Sequence, residues 1–180
     1  SIHPTNENKI EFRKNLNQFF EFLKSISLNK KYYFFFSGSS SDINSNLIES
    51  FIIKFCKKNA NSFFKKNFGH KTYSSLIKNA YVVIGNSSSG VIDTPYFKTP
   101  AINIGSRQKG RPISENIINT NFTKLSLIKA FKKIESPSFQ KKLLKTKSYY
   151  GKPGASKKIF NLIEKKIPKI SSSKRFVDIK

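Results

Sequence analysis

Apolar residues recur every three or four positions from Asn8 to Ile26, at Ile10, Phe12, Leu16, Phe19, Phe20 and Leu23. That period predicts an amphipathic helix. The pattern then changes. Lys31-Tyr32-Tyr33-Phe34-Phe35-Phe36 is an unbroken aromatic run closed by Ser37-Gly38-Ser39-Ser40-Ser41-Asp42, a strand followed by a turn. The helical period returns over Asn44–Asn59 with Leu47, Ile48, Phe51, Ile52 and Phe55 on one side. Ser62-Phe63-Phe64 predicts a short strand and Thr72–Lys78 a short helix. Tyr81–Ile84 and Pro100–Ile104 read as buried strands, and Ile117-Ile118 as a weak one. Thr123–Ile134 and Ala155–Lys166 predict helices, and Pro168–Lys180 is a basic tail with no assigned structure. Strands and helices alternate, so the expected fold class is α/β, a Rossmann-like parallel sheet with helices on both faces.

Chemistry concentrates where the strand Tyr81–Ile84 ends. It runs into Gly85-Asn86-Ser87-Ser88-Ser89-Gly90, followed by Asp93 and, after a second apolar run, by Arg107-Gln108-Lys109-Gly110-Arg111. Ser is a favoured helix N-cap, so a helix is expected to start past the serines, kept short by Pro95. Strand, small-residue turn and helix start together offer N–H groups and a positive dipole end to an anion. A phosphate-bearing ligand at the carboxyl edge of a parallel sheet fits that geometry. Read alone, the serines also serve as a plain helix cap.

Charge alters this picture less than its size suggests. The 180 residues carry 34 Lys and Arg against 10 Asp and Glu, a net charge of +24, which normally raises nucleic acid or anionic membrane as partners. The arginines are only Arg13, Arg107, Arg111 and Arg175, and the lysines are spread along helices and tail rather than gathered. No nucleic-acid motif accompanies them, so a solvated basic surface is expected and no specific nucleic-acid partner. Cys56 is the single cysteine and falls on an apolar helical face, which excludes a disulfide framework or cysteine metal site and predicts a core position. No stretch approaches a membrane span, so no membrane partner is expected. No metal cage is legible, and no cofactor. There is no Met, and the opening Ser1-Ile2-His3-Pro4 resembles the end of a strand that starts upstream. The expectation is a piece of a longer chain, with ordinary N-terminal processing as the alternative.

The segments Gly85–Pro95 and Pro100–Arg111 together resemble the UDP-N-acetylglucosamine 2-epimerase family, and most closely its hydrolysing branch that feeds sialic-acid-type sugar synthesis. Ile2-His3-Pro4-Thr5 is similar to that family's His-Pro-x-Thr segment, and Tyr150-Gly151-x-x-Gly154-Ala155-Ser156 to its closing segment. The resemblance implies a glycosyltransferase-B fold, of which residues 1–167 would be the C-terminal UDP-binding domain. Residues 168–180 would be a tail, and the N-terminal domain would lie outside this chain. It implies a UDP-sugar substrate, a cytoplasmic setting and, since dimers are common in the family, a homodimer.

The same resemblance assigns roles. Ser87, Ser88 and Ser89 would donate to the diphosphate, and Gly90 would admit it close to the backbone. Asp93 stands where the family usually has Glu and would accept from the ribose hydroxyls. Arg107 would reach the ligand with its planar fork of donors. Phe68 matches a position whose backbone reads the uracil edge. Ser40 stands where the family often has Asn. His3 would act in catalysis near the diphosphate, stabilising the departing UDP or supplying a proton. Lys109 and Arg111 are open between ligand contact and loop anchor, and His70 has no role.

The implied reaction removes the proton at C2 of the sugar and expels UDP. It leaves a 2-acetamidoglucal to which water adds with inversion at C2, giving UDP and N-acetylmannosamine or a related sugar. The acid and base carboxylates would belong to the N-terminal domain. Three alternatives stay open: the non-hydrolysing epimerase branch, a glycosyltransferase of the same fold, and a non-catalytic basic nucleic-acid-binding module.

Overall fold

The computed structural model describes residues 1–5, 7–38, 44–151 and 153–167, so Ser40 and the tail 168–180 lie outside the described residues. The chain divides into two compact units, Ser1–Tyr149 and Tyr150–Lys180. In the first unit helices and strands alternate: α1 (Lys9–Ser27), β1 (Phe34–Ser37), α2 (Ser45–Lys58), β2 (Ser62–Lys65), α3 (His70–Asn79) and β3 (Val83–Gly85). There follow α4 (Ser89–Ile92), α5 (Thr94–Phe97), β4 (Ala101–Ile104), β5 (Ile117–Thr120), α6 (Lys124–Ile134) and α7 (Pro137–Leu144). The second unit holds α8 (Ala155–Lys166), on which Ile159, Phe160, Leu162 and Ile163 are all exposed.

Every strand pair is parallel, as the alternation predicts. The strands form two sheets and not the single continuous one expected: β1 pairs with β2, and β3–β4–β5 form the other. Among the described residues no strand pairs β1 with β3. Instead Ser1 runs along β3, its amine donating to the Ile84 carbonyl at 3.0 Å and its own carbonyl accepting from Asn86 N–H at 3.2 Å. That closeness fixes Gly85, because a Cβ there would stand 1.7 Å from the Ser1 carbonyl oxygen.

The core forms where helix stripes meet strands. Helix α1 buries Phe12, Leu16, Phe19, Phe20, Phe22 and Leu23, each contributing roughly 1.5–3 kcal/mol. It packs against α2 through Ile48, Ile52 and Phe55 and against α6 through Leu127, Ala130 and Ile134. The Phe20 ring lies 5.4 Å from Phe51 and 5.9 Å from Phe55. All four residues of β4 are buried, as befits the central strand of its sheet. Asn8 caps α1 and Thr123 caps α6 with their side-chain oxygens.

Three local expectations change. The helix after the serine turn is two single turns, α4 and α5, with Pro95 seated in the first turn of α5, where its missing N–H costs nothing. Helix α7 was not anticipated, although Ser136 caps it and Pro137 opens it. Cys56 is half-buried at the edge of the core rather than inside it, and burial pushes its thiol pKa up.

Candidate functional site

Site geometry begins at Asn86, which is fully buried at the carboxyl end of β3. Its Oδ1 accepts from the His3 N–H at 2.7 Å and its Nδ2 donates to the His3 carbonyl at 2.9 Å. One side chain thus grips both backbone groups of His3, and the Ser1 hydroxyl lies 3.3 Å from the His3 Nε2. The Asn86 carbonyl is gripped from the other direction. Gln108, buried, donates its Nε2 at 2.8 Å, and the exposed Arg107 donates Nη1 at 3.3 Å. His3, the serine turn and Arg107 come from three distant stretches of chain and meet around this one asparagine.

Past Asn86 the turn opens. Ser88 precedes α4 but its side chain caps nothing, contrary to the capping expectation. Among the described residues the backbone N–H groups of Ser87, Ser88 and Ser89 donate to no protein carbonyl, since the helical bonds begin with Gly90 N–H to Ser87. The Ser89 hydroxyl lies 2.6 Å from the Tyr73 hydroxyl of α3 and donates to Ser87 Oγ at 3.1 Å. A Cβ on Gly90 would meet nothing within 4 Å, so space is open in front of the turn. Beneath it, Thr94 Oγ1 donates to the Gly90 carbonyl and accepts from Asn116, whose Nδ2 also reaches the Thr99 carbonyl. This buried network fixes the turn from below while its upper face stays free.

Asp93 is half-buried and, among the described residues, its carboxylate accepts no hydrogen bond. Burial pushes its pKa up, opposed by the nearby His70 charge. Tyr73 is also pushed up, first by burial and then by the Asp93 charge, with its Ser89 bond opposing. A carboxylate kept partly desolvated and unpaired is an acceptor waiting for donors.

Phe68 is half-buried and lines, with Tyr73, an apolar groove along β1 and β3. Lys109 and Arg111 are exposed, their backbones closing turns onto Ser106 and Gln108. Four contributors escaped sequence reasoning. Asn86 and Gln108 stood inside the quoted motifs, and their polar side chains beside buried runs were the available signal. Tyr73 and His70 meet the site only through the packing of α3, which no local pattern announces. Among the described residues no group of His, Cys, Asp or Glu is arranged to hold a metal, and no helix is long and apolar enough to cross a membrane.

A hydrolysing GDP/UDP-N,N'-diacetylbacillosamine 2-epimerase of Campylobacter jejuni is 38% identical over 141 residues, covering 78% of this chain and 35% of that protein. The crystal structure of UDP-GlcNAc 2-epimerase from Neisseria meningitidis bound to UDP-GlcNAc matches 83% of this chain and 41% of its own, with a TM-score of 0.61 at 17% identity. The S. aureus MnaA–UDP co-structure matches 94% of this chain and 44% of its own, with a TM-score of 0.66 at 13% identity. The chain therefore spans about a third of the length of that curated relative. The family model for UDP-N-acetylglucosamine 2-epimerase matches residues 1–164, and with nearly the whole chain covered, this protein belongs to the UDP-N-acetylglucosamine 2-epimerase family.

Proposed function

We propose that this chain is the nucleotide-binding, C-terminal part of a hydrolysing epimerase that converts a UDP-2-acetamido sugar and water to UDP and the C2-inverted free sugar. The observation that carries this reading is the convergence at Asn86: Arg107 reaches its carbonyl at 3.3 Å, immediately before a turn whose N–H groups are unclaimed. A guanidinium and several N–H donors, with the half-buried Asp93 carboxylate at the end of the short helix that follows them, suit a diphosphate joined to a ribose. Ser87, Ser88 and Arg107 would take the diphosphate, Gly90 would leave room for it, and Asp93 would accept from the ribose hydroxyls. His3 would stand at the diphosphate end, where a protonated imidazole favours departure of UDP. Proton removal at C2 and water addition would fall to carboxylates of the remainder of the protein, so this chain by itself would bind UDP and turn nothing over. The named Campylobacter relative acts on an N,N'-diacetylated sugar, and a second acetamido group on the sugar would leave the UDP contacts proposed here unchanged.

Thermal unfolding with and without UDP tests the reading. UDP should raise the midpoint in proportion to the logarithm of its concentration. Arg107→Ala should weaken binding by roughly tenfold to a hundredfold, the range of one or two lost charge-assisted hydrogen bonds, and Asp93→Ala by about tenfold. Absence of any UDP effect, together with tight nucleic-acid binding that falls steeply with salt, would overturn it in favour of a basic binding module.

A further inference from the structure

Helix α3 delivers one side chain to the serine turn. Tyr73, half-buried in its first turn, holds its hydroxyl 2.6 Å from the Ser89 Oγ. Ser89 in turn donates to the Ser87 Oγ at 3.1 Å. Tyr73, Ser89 and Ser87 thus form a row of hydroxyls, and proton counting gives the row a direction. A hydroxyl has one proton to donate and lone pairs to accept. The Ser89 proton is spent on Ser87, so the Tyr73 proton makes the 2.6 Å contact. Ser87 ends the row as an acceptor, and among the described residues its own proton meets no protein acceptor.

Both partners at the start of the row hang on the same buried groups. One turn beyond Tyr73, the Ile77 carbonyl of α3 accepts from the buried Thr99 hydroxyl at 2.9 Å. The Thr99 carbonyl accepts from Asn116 Nδ2 at 2.7 Å, and that nitrogen also reaches Thr94 Oγ1, which holds the Gly90 carbonyl at 2.8 Å. Helix α3 and the turn are therefore tied to one asparagine, which keeps Tyr73 in register with Ser89. Burial pushes the Tyr73 pKa up, opposed by its Ser89 bond and reinforced by the Asp93 charge, so the phenol keeps the proton it donates. Ser88 offers the contrast. Its side chain makes no capping bond to α4, and among the described residues no neighbouring hydroxyl donates to it.

We propose that Tyr73 is a positioning residue that acts through Ser89 to commit the Ser87 hydroxyl to donating into the open space before the turn, onto a phosphate oxygen of the diphosphate. The inference rests on the UDP reading above and adds to it a residue that need not touch the ligand. A bond received by the Ser87 oxygen polarises the O–H it sends out, so the outgoing bond is strengthened. A phosphate oxygen is charged and carries no competing proton, so it is the acceptor such a hydroxyl suits. The space is there, since a Cβ on Gly90 would meet nothing within 4 Å.

Isothermal titration of UDP into the 180-residue chain and its Tyr73→Phe, Ser87→Ala and doubly substituted forms tests this. Tyr73→Phe should weaken binding about threefold, and Ser87→Ala about tenfold, the lower end of the range for a hydrogen bond to a charged group. The doubly substituted chain should bind within about twofold of Ser87→Ala, because Tyr73 then has nothing to position. Ser89→Ala cuts the row at its middle link. It should cost about as much as Tyr73→Phe and nothing further when Ser87 is already alanine, which keeps the test decisive if the phenylalanine variant does not fold. Losses that multiply, to about thirtyfold in the doubly substituted chain, would mean that Tyr73 touches the ligand or merely stiffens the turn, and would overturn the proposal. Unchanged affinity in Tyr73→Phe would overturn it as well. Either result leaves UDP binding by the parent chain, and with it the proposed function, standing, whereas a parent chain that does not bind UDP sinks both.

Discussion

Two sides of one residue, Asn86, behave oppositely. Toward the core, its side chain saturates His3, its carbonyl takes Gln108 and Arg107, and nothing polar on it is left over. Toward solvent, residues 87–93 present unclaimed N–H groups, an uncapped Ser88 and an unpaired Asp93 among the described residues. The closed side is scaffolding, since a satisfied buried polar group specifies geometry and leaves no capacity for a ligand. The open side tolerates unmet hydrogen-bonding capacity because water, or a ligand, can meet it. Substitutions should therefore separate: stability on one side, affinity on the other.

The largest expected effect lies on the closed side. Asn86→Ala removes both hydrogen bonds that its side chain makes to the His3 backbone, which costs about 3 kcal/mol and lowers the thermal midpoint by roughly 6–12 °C. A midpoint within 2 °C of the parent, read by calorimetry without ligand, would show that Asn86 is no scaffold and dissolve the comparison.

The smallest expected effect lies on the open side. Tyr73→Phe removes one of the two partners of the Ser89 hydroxyl and leaves Ser87. Water can replace it at this half-buried position, so stability should fall by less than about 1 kcal/mol. UDP affinity should fall about threefold through loosened serine rotamers, measurable by isothermal titration. A loss of stability as large as that of Asn86→Ala would mean the turn is held from above as well as below, and the two sides are not distinct.

Much of the fold was legible because the signals are local. The 3.6-residue period of α1 and the aromatic run of β1 each lie within one segment, and both elements form where the pattern puts them. The serine turn and Arg107 stood out for the same reason. Asn86 and Gln108 were visible but unassigned, because an amide's role depends on which backbone it faces. Tyr73 and His70 could not be read at all, since α3 approaches the turn only after the chain has closed on itself. The division into two sheets was equally hidden, because strand pairing depends on which edges meet.

Sequence alone determined the parallel α/β class, the membership of the epimerase family and the position of the Gly/Ser turn, because side-chain periodicity and turn chemistry act within a few residues. Tertiary structure alone decided that His3, Asn86 and Gln108 lock together, that Tyr73 reaches Ser89, and that β1 and β3 leave a groove between them. Those contacts join residues from 16 to 83 positions apart, and over such separations burial and hydrogen-bond satisfaction, rather than local propensity, choose the partner.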